Sequence, residues 1–150
     1  MEQRLNYAKT APDALNAMLE LEKYVRNSGL EHSLYELVKT RASQINGCAY
    51  CLDMHTKDAR KAGETEQRLY ALSAWRETPF YTDRERAALE WTEALTVISE
   101  NEVSNVLYES VHAQFNDEEM VALTMAIIAI NSWNRLAISF RTVPGTYKSV

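Results

Sequence analysis

Glycine and proline punctuate this chain at few places: four glycines and three prolines occur in 150 residues. Between them apolar residues recur at three-and-four spacing, and no alternating strand pattern of useful length is present. Pro12 opens the first pattern, where a first helical turn tolerates proline. Gly29, Gly47 and Gly63 each close one, where a left-handed cap favours glycine. Pro79 separates two further patterns, and Pro144 with Gly145 marks the tail.

The spacing predicts seven helices in a single all-α domain spanning residues 1–150. The first covers about Pro12–Asn27, with Leu15, Met18, Leu19 and Val25 on one stripe. The second covers about Leu30–Ile45, with Leu34, Leu37, Val38, Ala42 and Ile45. A third begins near Cys48 and ends before Gly63, and a fourth covers Thr65–Arg76. Thr82–Asp83 caps a fifth over Asp83–Ser99, carrying Ala87, Ala88, Trp91, Leu95 and Ile98. A sixth covers about Glu102–Gln114. Asn116–Glu119 reads as a capping box for the last, which runs to about Phe140. That helix is apolar nearly all round from Met120 to Ile130, the pattern of a central helix or of a subunit contact.

Apolar residues make up 46% and charged residues 25%, the mix of a folded domain with a core of its own. With a net charge of −5 and no basic cluster, nucleic acid is not an expected partner. The run Met125–Ile130 is far shorter than the roughly 20 residues of a membrane span, so no membrane is expected either. The polar N-terminus is unlike a signal peptide, and a cytoplasmic location is the expectation. In a reducing compartment, two cysteines three residues apart point to catalysis or metal, not to a structural staple.

Those cysteines sit in Gln44–His55, "QINGCAYCLDMH". Covalent haem attachment needs His directly after the second cysteine, and Leu52 stands there. A thioredoxin-type pair follows a strand, whereas this one follows a helical pattern. Cys48, Cys51 and His55 offer three ligands for zinc, and a structural site needs a fourth. Buried, inert cysteines are a further alternative, and His32 and His112 are assigned to ordinary structural roles. If a helix begins just after Gly47, Cys48 lies in its first turn, where free N–H groups favour a thiolate. Cys51 is three residues on and His55 four more, so all three share a face. An imidazole can take a thiol's proton, and a second thiol can resolve a sulfenic acid into a disulfide. Glu36, twelve residues before Cys48, is a candidate carboxylate to orient the imidazole, although taken alone, with Lys39 and Arg41 nearby, it reads first as an ordinary surface charge.

Glu36, Cys48, Cys51 and His55, spaced E-x11-C-x-x-C-x3-H, resemble the core motif of the alkylhydroperoxidase D-like proteins of the carboxymuconolactone decarboxylase superfamily. The flanking residues Leu37–Thr96 are similar throughout, as is the C-terminal stretch Asn131–Phe140. The resemblance implies an all-helical homo-oligomer, a trimer or hexamer, that reduces hydroperoxides with its own thiols, using no cofactor and no metal. An unidentified dithiol protein or small molecule would donate the electrons. It implies Cys51 as the peroxidatic thiol, Cys48 as proton donor and resolving thiol, and His55 with Glu36 as the proton relay. The best-studied type has a further His directly before the second cysteine. Here Tyr50 stands in its place, and its hydroxyl is the candidate proton carrier. The superfamily's decarboxylases do not depend on such a cysteine pair, so the resemblance points away from lactone decarboxylation. Two other readings of the motif are a non-enzymatic redox-sensing dithiol oligomer and a structural zinc site. Trp133, Phe140, Asn131 and Asn134 are expected to pack and to satisfy buried polar groups.

Overall fold

Side chains that accept backbone N–H groups set most of the helix starts. In the computed structural model, which describes residues 1–149, the order is α1 (Tyr7–Thr10), α2 (Pro12–Arg26), α3 (His32–Asn46), α4 (Ala49–Lys61) and α5 (Glu66–Ala71). A 3-10 turn (Leu72–Glu77) follows, then α6 (Asp83–Thr96), α7 (Asn105–His112) and α8 (Asp117–Phe140). Thr82 and Asn116 each complete a capping box, with Glu85 and Glu119 returning the bond to the cap backbone. Asn6, Thr65 and Ser104 cap α1, α5 and α7.

The seven expected helices are all present, with two refinements. Asn6 caps one extra turn, α1, which stops before Pro12 starts α2. The expected helix over Thr65–Arg76 is two pieces, α5 and the 3-10 turn, and Ala74 (φ −116°, ψ 29°) leaves helical geometry inside the second.

The helix at the centre of the packing is α3, not the more apolar α8. Every residue from Leu34 to Thr40 is buried, and α3 packs on α4, α6 and α8. Leu34 and Val38 meet Ala88 and Trp91 of α6, Val111 of α7 and Phe115 beyond it, and Leu123 and Ile127 of α8. Truncating any of the fully buried aliphatic side chains to alanine costs about 2–5 kcal/mol. On α8 the inner face is buried, while Val121 and Ile128, seven residues apart, stay exposed with Met125 half-buried between them.

Burying α3 also buries Glu36, Lys39, Thr40 and Ser43, which costs free energy unless each finds a partner. Lys39 pairs with Glu22 of α2 and bonds the Tyr35 hydroxyl. Ser43 accepts from Asn134 of α8, 3.0 Å away, and Glu36 meets His55. Thus the polar face of α3 is where the candidate chemistry is concentrated.

Candidate functional site

Gly47 ends α3 in the left-handed conformation (φ 68°). A side chain added there would meet no atom, so glycine's advantage is conformational, about 1–2 kcal/mol. The amide of Cys48 turns back to the Ser43 carbonyl at 3.0 Å. Asn46 then ties the turn to α8 by donating to Asn131 and Asn134 at 3.0 and 2.9 Å. The chain therefore reverses sharply, and α4 restarts with Cys48 as its N-cap rather than in its first turn. The Cys48 sulfur accepts the Cys51 amide at 3.4 Å.

Cys48 and Cys51 are joined as a disulfide, with their Cα atoms 5.4 Å apart, a separation ordinary for such a bridge. In this oxidised form the two sulfurs are occupied with each other, so they are not thiolate ligands for zinc. Both residues are only 1% exposed, packed against Ala42 of α3 and Ile130 and Ala137 of α8.

One turn beyond Cys51, His55 projects onto α3. Its Nδ1 lies 2.8 Å from Glu36 Oε2, with both side chains buried. An ionised Glu36 can only accept, so Nδ1 carries the hydrogen and Nε2 presents its lone pair. Nε2 has no hydrogen-bond partner among the described residues although it is buried, an arrangement that marks a group awaiting one. A cavity of about 240 Å³ adjoins it, walled by Tyr7, Lys39, Tyr50, Met54 and Trp133. Of the expected site residues, Glu36 and His55 are thus in contact and Cys48 and Cys51 bonded. Tyr50 lines both this cavity and a second one on the Cys48 side. His112 lies apart from this group, exposed and bonded to Asp117, whereas His32 stacks on Tyr35 and lines a further pocket with Glu36, Asp58 and Tyr147.

The site contains charged residues that the motif does not name. Lys39 and Glu22 form a buried ion pair in the cavity wall. Burial pushes the Lys39 ammonium below its ordinary range, with the Glu22 carboxylate opposing. Burial would raise Glu22, but the charge and hydrogen bond of Lys39 and a bond from Trp133 outweigh it and hold the carboxyl low. Asp58 lines the same cavity, and one oxygen or nitrogen each of Glu36, His55 and Asp58 lies within 4.8 Å of the others. These three are the residues that could hold a metal ion, while Tyr147 of the C-terminal segment already donates to Asp58 at 2.9 Å. Lys39 and Asp58 are each three residues beyond a motif member, so helical spacing from Glu36 and His55 would have found them.

Tyr147 provides a spectroscopic handle on this edge. Burial and then the Asp58 carboxylate push its phenol up to about 12. A phenol raised above its unfolded value near 10 favours the fold below that value, and the contribution fades between pH 10 and 12. Burial also raises Tyr7 and Tyr81, so tyrosinate absorbance should show several late-titrating tyrosines, of which the one lost in Tyr147→Phe titrates near 12; an unchanged titration curve would disprove the assignment.

Residues 12–94 match the Carboxymuconolactone decarboxylase family. The chain belongs to that family. Individual relatives extend the likeness over nearly the whole chain. The uncharacterized protein YdfG of Bacillus subtilis is 48% identical over 139 residues, 93% of this chain and 95% of that one. The crystal structure of ATU0492 from Agrobacterium tumefaciens superposes with a TM-score of 0.94 at 49% identity, covering 97% of this chain and 100% of that one. ATU0492 is a protein of unknown function provisionally described as an antioxidant defence protein AhpD. The alkyl hydroperoxide reductase AhpD of Hyphomonas neptunium is 40% identical over 47 residues, 31% of this chain and 26% of that one. Within the Carboxymuconolactone decarboxylase family, this chain is alkylhydroperoxidase D-like, as the motif implied.

Proposed function

We propose that this protein is a thiol-dependent hydroperoxide reductase that cycles Cys48 and Cys51 between dithiol and disulfide. The observation that carries the reading is His55: Nδ1 is anchored on Glu36 and Nε2 lacks a partner, one helical turn from a cysteine already bridged to its neighbour.

In the reduced protein, Nε2 takes the Cys51 proton and leaves a thiolate, the nucleophilic form. The thiolate attacks the terminal oxygen of R–O–OH. The O–O bond breaks, Cys51 becomes a sulfenic acid, and the alkoxide leaves as R–OH with the proton returned through His55. The Cys48 sulfur then attacks the sulfenic sulfur, its proton leaves with the hydroxyl as water, and the disulfide forms. One hydroperoxide and two protein thiols give one alcohol, one water and one disulfide. Tyr50 passes protons towards Cys48 in this reading, which its lining of both cavities supports. Homo-oligomerisation has a candidate contact in the exposed Val121–Ile128 stripe of α8.

The test uses reduced protein and one equivalent of hydroperoxide. Mass spectrometry should show loss of two hydrogens within the Cys48–Cys51 peptide, and a dithiol donor should sustain repeated turnover. Rapid disulfide formation without turnover under any dithiol would instead favour a redox-sensing role, for which the deep burial of both sulfurs is the supporting observation.

A further inference from the structure

The two cavities that Tyr50 lines are not equivalent. The one beside His55 touches neither cysteine. The other, about 190 Å³, is lined by Gly47, Cys48, Tyr50, Ala137, Arg141 and Pro144, so it reaches the disulfide from the Cys48 side. Its wall is mostly apolar and it has room for a chain of only a few heavy atoms. The charged side chain on it is Arg141, and Met1 also lines it.

Two independent features single out Arg141. It is the only non-glycine residue with positive φ among the described residues (φ 55°, ψ 55°), and it caps the end of α8. Glycine takes this conformation without strain, whereas an arginine does not. Its guanidinium also makes no hydrogen bond or ion pair with any described residue. Every other arginine of the chain has at least one such partner. A strained backbone thus holds an uncommitted cation in the lining of the cavity that Cys48 also lines.

We propose that this cavity receives the reductant, and that the reductant is a low-molecular-weight thiol bearing a carboxylate. The proposal rests on the redox reading above. Arg141 binds the carboxylate while the thiolate meets the Cys48 sulfur. The new S–S bond joins the reductant to Cys48, the Cys48–Cys51 bond breaks, and its electron pair leaves on Cys51 as thiolate. A second thiolate of the same kind displaces Cys48 from the mixed disulfide. Two small thiols become one disulfide, and Cys48 takes up a proton from solvent. The N-cap amides favour Cys48 as the leaving thiolate, which on its own would direct attack to Cys51. Access decides against that, because of the two cysteines only Cys48 lines either cavity. The outcome is also productive, since the freed Cys51 thiolate is the one beside His55.

The experiment compares reduction of the oxidised protein by 3-mercaptopropionate, 2-mercaptoethanol and cysteamine, with rates corrected for thiol pKa. One guanidinium within a few ångströms of the carboxylate should give the anionic thiol roughly a five- to tenfold advantage over the neutral one. That advantage should shrink at high salt. It should fall to about one in Arg141→Gly, a change that relieves rather than strains the backbone, and largely persist in Arg141→Lys. Rapid alkylation of the intermediate should label Cys51 and leave the small thiol on Cys48. An anionic-to-neutral ratio that is the same in wild type and Arg141→Gly, or a label on Cys48, would overturn the proposal. Reoxidation by hydroperoxide is followed on the same samples; its failure would overturn the peroxidase reading, whereas lost charge selectivity overturns this one.

Discussion

Cys51→Ser should reduce hydroperoxide consumption to the uncatalysed background, while Cys48→Ser should still consume a single equivalent and then stop. The asymmetry follows from the two steps. A serine hydroxyl at position 51 is not ionised by an imidazole near neutral pH, so the O–O bond meets no nucleophile and the first step does not occur. With Cys51 intact and Cys48 replaced, the sulfenic acid forms once but no neighbouring sulfur expels its hydroxyl. Mass spectrometry should find one added oxygen on Cys51 in that variant and none in Cys51→Ser. The N-cap position of Cys48 makes this a demanding test, because its sulfur accepts the Cys51 amide and local electrostatics alone favour Cys48 as the more acidic thiol. Should Cys51→Ser burn one equivalent and Cys48→Ser none, the roles are reversed and the N-cap, not the histidine, selects the nucleophile.

The helices were legible because their signals are local. Thr82 with Glu85 and Asn116 with Glu119 announce two helix starts within four residues each, and both boxes form. Gly47 announces a stop, and it adopts the left-handed conformation that glycine takes without strain. The kink at Ala74 carries no such signal, since alanine is an ordinary helix residue. Nor does apolarity identify the central helix. The all-round apolar α8 keeps Val121 and Ile128 outside, while the amphipathic α3 is enclosed. What allows α3 inside is a set of partners distant in sequence: Glu22 for Lys39, His55 for Glu36, Asn134 for Ser43. Spacing along a single helix cannot reveal those pairings.

The site divides in the same way. Glu36, Cys48, Cys51 and His55 could be grouped because a C-x-x-C pair with a histidine at helical spacing is rare by chance, and the family pattern supplied the glutamate. Lys39 and Asp58 sit on the same faces one step further on and were within reach of the same reasoning. Arg141 was not. Its interest arises from a left-handed backbone and an unshared guanidinium, and both are properties of the folded chain rather than of the residue type.

Lys39 also fixes the second large effect expected, this one on stability. Glu22→Leu should destabilise the protein by about 3–5 kcal/mol, because it leaves the ammonium of a 1% exposed lysine without its counter-ion. The loss is compounded because Trp133 Nε1 donates to the same carboxylate at 3.1 Å and the Tyr35 hydroxyl to its other oxygen, so two further donors lose their acceptor. At roughly 2–4 °C per kcal/mol for a chain of this length, the midpoint should fall by about 10 °C. Glu22→Leu with Lys39→Met should recover much of the loss, since replacing both ions by apolar groups removes the desolvation cost as well as the attraction. The pH dependence supplies a second readout. The Glu22 carboxyl is held below its unfolded value, so its stabilisation is present above about pH 4.5 and is lost as pH falls through the folded value. The acid limb of the stability curve should therefore flatten in the double variant. If the double variant is no more stable than Glu22→Leu, the pair is not the source of the effect. The loss would then lie in the packing of Tyr35 and Trp133 around the cavity that adjoins His55.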